Sequence, residues 1–213
     1  MTTPAVMVLA GLALISGGLT IWFDSKGQRR PFILFKPMTM VLIILAAFFA
    51  KTPLSTAYKG FILAGLVCST AGDVFLMLHE KFFTAGLASF LVAHVFYILA
   101  FRSTPPHSLS APLMLPFVVF GLLMFRLLAP SLGALKFPVF VYTAAITVMA
   151  FLAADRFTYL GGTRTLLAFA GAVLFMASDS VLAANRFLKP LGRAQMIILG
   201  TYFPAQLLIA LSI

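Results

Sequence analysis

The sequence predicts an all-α, polytopic integral membrane protein of about eight transmembrane helices, forming a single transmembrane domain over residues 1–213, and three observations carry that reading. The chain is 62% hydrophobic and only 9% charged, with a mean hydropathy of +1.09. Soluble domains run nearer about 45–50% apolar and about 25% charged, so this composition cannot make a water-facing surface. Eight apolar runs are each long enough to cross a hydrocarbon core of about 30 Å, which takes roughly 20 helical residues. The connections between them are short and hold the helix breakers and most of the bases.

The runs fall at 4–23, 32–50, 58–78, 82–101, 111–129, 137–154, 166–185 and 194–211. The first lacks the basic n-region of a signal peptide and is too long for an h-region, so it is expected to be a retained span. It closes at Asp24-Ser25-Lys26-Gly27, and the second opens around Lys36-Pro37 and stops before Pro53. The third carries Asp73. The fourth places His94 and Tyr97 at i, i+3, on one face, and stops before Pro105-Pro106. The fifth ends at Pro130. The sixth holds Tyr142 and stops short of Gly161-Gly162. The seventh carries Asp179 and exits past Asn185 to Pro190-Leu191-Gly192, and the eighth sets Tyr202 and Gln206 at i, i+4.

Fifteen Lys and Arg against five acids give a formal charge of +10. In a soluble chain that balance would point to nucleic acid. Here the bases sit between apolar runs, where they act as topology signals and lipid-headgroup contacts, so no nucleic-acid partner is expected. Ten lie on the side of the odd-numbered connections (Lys26, Arg29, Arg30, Lys36, Lys81, Arg126, Lys136, Arg186, Lys189, Arg193) and five on the other (Lys51, Lys59, Arg102, Arg156, Arg164). The positive-inside rule makes the first side cytoplasmic, with both termini outside.

The halves resemble each other. Ala64-Gly65 through Gly72-Asp73 matches Ala170-Gly171 through Ser178-Asp179, an offset of 179 − 73 = 106 residues. Spans three and seven run in the same direction, so the expectation is a parallel 4+4 repeat, approximately 1–106 and 107–213, about an axis along the membrane normal. Asp73 and Asp179 should then face each other at equivalent depths, roughly 8–10 Å inside the cytoplasmic helix ends at 1.5 Å per residue. Lys36 and Tyr142 share the same offset (36 + 106 = 142).

Asp24, Glu80 and Asp155 fall in or beside connections and call for no special role. Asp73 and Asp179 lie inside spans, where an ionisable group costs at least a few kcal/mol and marks function by default. Packing alone is a poor reason for two such acids at repeat-related positions. Close carboxylates do not both ionise cheaply, so one holds a proton and the other is an anion, giving a general acid and a general base in one site. Lys36, His94, Tyr97, Tyr142, Asn185, Tyr202 and Gln206 are the candidate binding residues around them. Taken singly, a Tyr or Gln in a membrane helix is more often interhelical glue. Tyr58 and Tyr159 read as interfacial belt aromatics, and His79 and His107 as inert connection residues. No cofactor is expected. Three histidines without HxxxH spacing and a lone Cys68 indicate no metal site, since a zinc site would need His94 with both aspartates.

These residues bear a family likeness. Gly72-Asp73-Val74-Phe75-Leu76-Met77, followed by Phe83, Gly86, Phe90, His94 and Tyr97, resembles the first signature of the YhhN-type lysoplasmalogenases. Ser178-Asp179 through Asn185-Arg186-Phe187, with Thr201-Tyr202 and Gln206, resembles the second, and Lys36-Pro37 fits the family pattern at span two. The resemblance implies hydrolysis of the vinyl-ether bond of lysoplasmalogens to a fatty aldehyde and a glycerophospho-base, with Asp73 and Asp179 as the catalytic pair and a lysophospholipid substrate. The expected setting is a bacterial inner (cytoplasmic) membrane, with the site toward the cytoplasmic leaflet among membrane lipids. The alternative is a small proton-coupled transporter using the same two aspartates, because parallel repeats and paired intramembrane acids also describe carriers.

Overall fold

The computed structural model describes residues 3–51, 55–78, 80–103 and 108–213; Pro53, His79, Pro105, Pro106 and His107 lie outside the described residues. Eight long helices make up the fold: α1 (Pro4–Ser25), α2 (Arg29–Phe49), α3 (Thr56–Met77), α4 (Phe83–Arg102), α5 (Ala111–Leu128), α6 (Lys136–Leu160), α7 (Thr163–Phe187) and α8 (Ala194–Leu211). Each is long and apolar enough to cross a bilayer. In lipid a helix satisfies its own backbone hydrogen bonds, and that selects this architecture. The protein is an integral membrane protein.

Neighbours in sequence pack as pairs, α1 on α2, α3 on α4, α5 on α6 and α7 on α8; α4 also packs on α6, and α2 on α8. Small residues permit the closest crossings. A Cβ on Gly65 would overlap the Tyr97 ring, and one on Gly171 would come within 2.8 Å of the Ala205 carbonyl oxygen. Van der Waals packing at small residues is what joins helices where lipid supplies no hydrophobic drive. The helix α5 is held most loosely, burying only Gly121 and Leu128.

Several boundaries and burials differ from the sequence reading. The helix α6 runs to Leu160 and α7 starts at Thr163, so Gly161-Gly162, at φ 64° and 84°, is the entire connection. Asp155 and Arg156 are therefore not connection residues. They lie within α6 at 3% and 2% exposure. Asp155 accepts the Ser110 N–H at 3.0 Å, and the Arg156 guanidinium lies 4.1 Å from the centre of the Tyr58 ring. Tyr58 is not a belt aromatic either: it is buried and hydrogen-bonded to Ser212 at 2.6 Å. Tyr159 is exposed, as a belt residue is. Asp24 belongs to the last turn of α1, and Lys36, the eighth residue of α2, is two turns inside its helix and 5% exposed. Setting aside buried Lys36 and Arg156 leaves nine bases against four, so the charge bias keeps its direction.

Candidate active site

At the end of the bundle formed by the α1–α2, α3–α4 and α7–α8 connections, a polar cavity of about 490 Å³ enters between the helices. Both intramembrane aspartates line it, Asp73 from α3 and Asp179 from α7. Asp73 stands four residues before the end of its helix and Asp179 eight.

Each carboxylate is held by two other helices. Lys36 from α2 pairs with Asp73, Nζ to Oδ1 2.9 Å, and Tyr202 from α8 donates its hydroxyl to Oδ2 at 2.6 Å. Asp73 is 2% exposed, so the ion pair and hydrogen bond offset the cost of removing its charge from water. Pro37 gives α2 no N–H at that turn, which frees a carbonyl one turn back toward the cavity mouth. On the other side, Tyr142 from α6 donates to Asp179 Oδ2. His94 from α4 places Nε2 3.8 Å from the same oxygen. The imidazole is wholly buried, edge-on to Tyr142 with ring centres 5.0 Å apart and 4.8 Å from the Phe175 ring. Among the described residues neither of its nitrogens is hydrogen-bonded to another side chain, and no Lys or Arg pairs with Asp179.

The other sequence candidates divide. Tyr142 and His94 reach Asp179, and Lys36 and Tyr202 reach Asp73. Asn185 lines the cavity and also accepts the Leu191 N–H at 2.8 Å, which ties down the α7–α8 connection. Tyr97 and Gln206 do not line the cavity. They bond to each other, hydroxyl to Oε1 2.7 Å, in the buried core behind it. Four residues that sequence reasoning did not link to the site join its mouth: Asp24, Gln28, Arg29 and Gln195. Their position beside the breakers of the odd connections was the available signal. Arg186 also lies there, 3.5 Å from Glu80 and stacked on Phe83.

A second, narrow apolar cleft of about 60 Å³ lies between α4, α5, α6 and α7. Ile146, Phe120 and Met124 are typical of its walls. Five residues, Leu76, Phe83, Phe90, Asp179 and Leu182, line both cavities. Asp73 borders the polar one alone. Among the described residues no group of three or more His, Cys, Asp or Glu comes together.

Fold and site together define a polytopic helical membrane protein that sets two carboxylates on one polar cavity open at an end of the bundle. The chain belongs to the YhhN family, whose model matches residues 32–213. It is 32% identical over 174 residues to lysoplasmalogenase TMEM86B of Sus scrofa, covering 81% of this chain and 71% of that one. It is 36% identical over 156 residues to lysoplasmalogenase TMEM86A of Bos taurus, covering 71% and 64%. To the membrane protein YhhN of Escherichia coli O157:H7 it is 28% identical over 199 residues, 93% of this chain and 95% of that one. The chain thus spans about two thirds of the length of the mammalian relatives. No solved structure matches it.

Proposed function

We propose that this protein is a membrane hydrolase that cleaves the vinyl-ether bond of lysoplasmalogens, releasing a fatty aldehyde and a glycerophospho-base, with Asp73 and Asp179 as its acid–base pair. The observation that carries the reading is the convergence of two carboxylates, Asp73 buried and Asp179 half-buried, on one cavity at one end of the bundle. The relatives named lysoplasmalogenases support the substrate class.

The chemistry suits the site. A vinyl ether reacts by taking a proton on its β-carbon, which leaves an oxocarbenium ion that water then attacks. One carboxyl group delivers the proton while the other stabilises the cation and activates water, the division of labour that glycosidases use for a related transition state. Arg29, Arg186 and Asn185 at the mouth are placed to take the phosphate, a task suited to guanidinium forks. Lys36, paired with Asp73 at 2.9 Å, favours its anionic form.

Two like halves would account for the way each aspartate is held. Asp73 takes one partner from α2 and one from α8, and Asp179 one from α6 and one from α4. Advancing α2, α3 and α8 by half the bundle gives α6, α7 and α4, which supports the 4+4 repeat. The carrier reading gains no support, because the site sits toward one face and the helices containing Pro37 and Pro204 run unbroken.

The purified protein in detergent, given lysoplasmenylcholine or lysoplasmenylethanolamine, is expected to release aldehyde, read by a coupled dehydrogenase. Asp73→Asn and Asp179→Asn should each lower the rate by about 10²–10⁴-fold, the usual share of general acid–base catalysis. Full activity in both variants would end the proposal, and proton-coupled uptake into liposomes without hydrolysis would favour a carrier.

A further inference from the structure

We infer that the two aspartates are not interchangeable: Asp179 is the acid that protonates the alkenyl carbon, Asp73 is the base that activates water, and the substrate's hydrocarbon chain lies in the α4–α7 cleft. This rests on the proposed hydrolase reading and deepens it.

Position separates the two carboxyls. A lysoplasmalogen is polar on the glycerol side of its ether oxygen and hydrocarbon on the other. The bond to be cut lies at that junction, so it must sit where the polar cavity meets the apolar cleft. Asp179 is the only titratable group that borders both among the described residues. Asp73 borders only the polar cavity, on the side of the glycerol and of water. The carbon that accepts the proton lies on the chain side of the ether. The carbon that accepts water is bonded to the ether oxygen itself. The chain-side carboxyl is therefore the donor and the polar-side one the acceptor.

The partners divide the same way. Lys36 at 2.9 Å makes Asp73 the anion of the pair. Asp179 receives only the Tyr142 hydroxyl and the edge of a buried imidazole. An unpaired charge against hydrocarbon is costly, so Asp179 is the carboxyl that keeps a proton, on Oδ1, while Oδ2 accepts from Tyr142.

The cycle balances. Asp179 gives its proton to the β-carbon, whose π electrons form the new C–H bond and leave the oxocarbenium ion. Asp73 takes a proton from water as the water oxygen bonds to the α-carbon, giving a hemiacetal. The hemiacetal hydroxyl returns a proton to Asp179 while Asp73 protonates the glycerol oxygen. The C–O bond breaks, and aldehyde and alcohol leave with both residues reset. At its present width the cleft is too narrow for a long chain. The wall that yields is α5, which buries just Gly121 and Leu128, since loosely packed elements open most readily.

Chemical rescue tests the roles. Asp179→Ala and Asp73→Ala, each checked for folding by thermal unfolding, are assayed with added formic acid/formate across a pH series. Asp179→Ala should recover by about tenfold or more in proportion to undissociated formic acid, and Asp73→Ala in proportion to formate anion, as Brønsted behaviour requires. The opposite assignment, the same form rescuing both, or no rescue of either overturns the inference. Chain placement is tested without touching either acid. Ala183→Phe, which fills the cleft, should lower the kcat/KM ratio of a hexadecenyl over a butenyl substrate by about tenfold, the scale of hydrophobic-pocket discrimination. An unchanged ratio overturns it. Failure of the wild-type protein to release aldehyde would instead strike the hydrolase reading itself.

Discussion

Lys36 shows how much one buried side chain decides here. It stands on a proline-bearing turn of α2 and reaches Asp73 at 2.9 Å in a setting where both partners are buried. Removing the cation strands a buried carboxylate, which typically costs about 3–5 kcal/mol. Lys36→Met should therefore lower the thermal unfolding temperature and activity together. The double variant Lys36→Met/Asp73→Asn should regain much of the stability and none of the activity. Equal stability of Lys36→Met and wild type would show the pair to be worth little. The sequence pointed to both aspartates and to Lys36, because charges are conspicuous in hydrocarbon. Which side chain meets which was hidden, since it depends on the rotation of each helix. Tyr202 crosses from α8 to Asp73, whereas Gln206, one turn on, faces Tyr97 in the core.

At the scale of helices, spacing of small residues sets the geometry on which those contacts depend. Gly65 lets α4 lie against α3 at Tyr97, Gly72 admits the Phe90 ring, and Gly171 lets the α8 backbone at Ala205 and Ile209 approach α7. Gly72→Leu would meet the Phe90 ring from 2.7 Å at its first carbon alone and displace one of the two aromatics that wall both cavities. Overpacking of this kind costs about 1–3 kcal/mol. The expected outcome is a folded but less stable protein whose aldehyde release drops with it; unaltered melting and turnover would contradict the packing account. Helix count and order were legible because a span needs about 20 apolar residues. The end of α6 was not, because Asp155 and Arg156 look like a surface pair until Ser110 and Tyr58 are seen to hold them inside.

Across the whole molecule the two cavities make a single amphipathic imprint. The polar one opens among Asp24, Arg29 and Arg186, at the end of the bundle that carries most of the bases, and the apolar one runs into the bundle beside α5. A lysolipid has that same division between headgroup and chain, and the proposed binding mode puts the ether junction between them at the carboxyls. Composition disclosed the membrane and the internal match disclosed paired acids. Neither could disclose a cleft, which exists only once α4, α5, α6 and α7 are packed.

The central claim is that a carboxyl group inside the membrane protonates carbon. Turnover of lysoplasmenylcholine in D₂O, with the aldehyde trapped by reduction and weighed by mass spectrometry, tests it directly. One deuterium on the carbon next to the former carbonyl is predicted, and labelled aldehyde should form about 10²–10⁴-fold more slowly in Asp179→Asn. Aldehyde formed at the wild-type rate with no deuterium at that carbon would contradict the account.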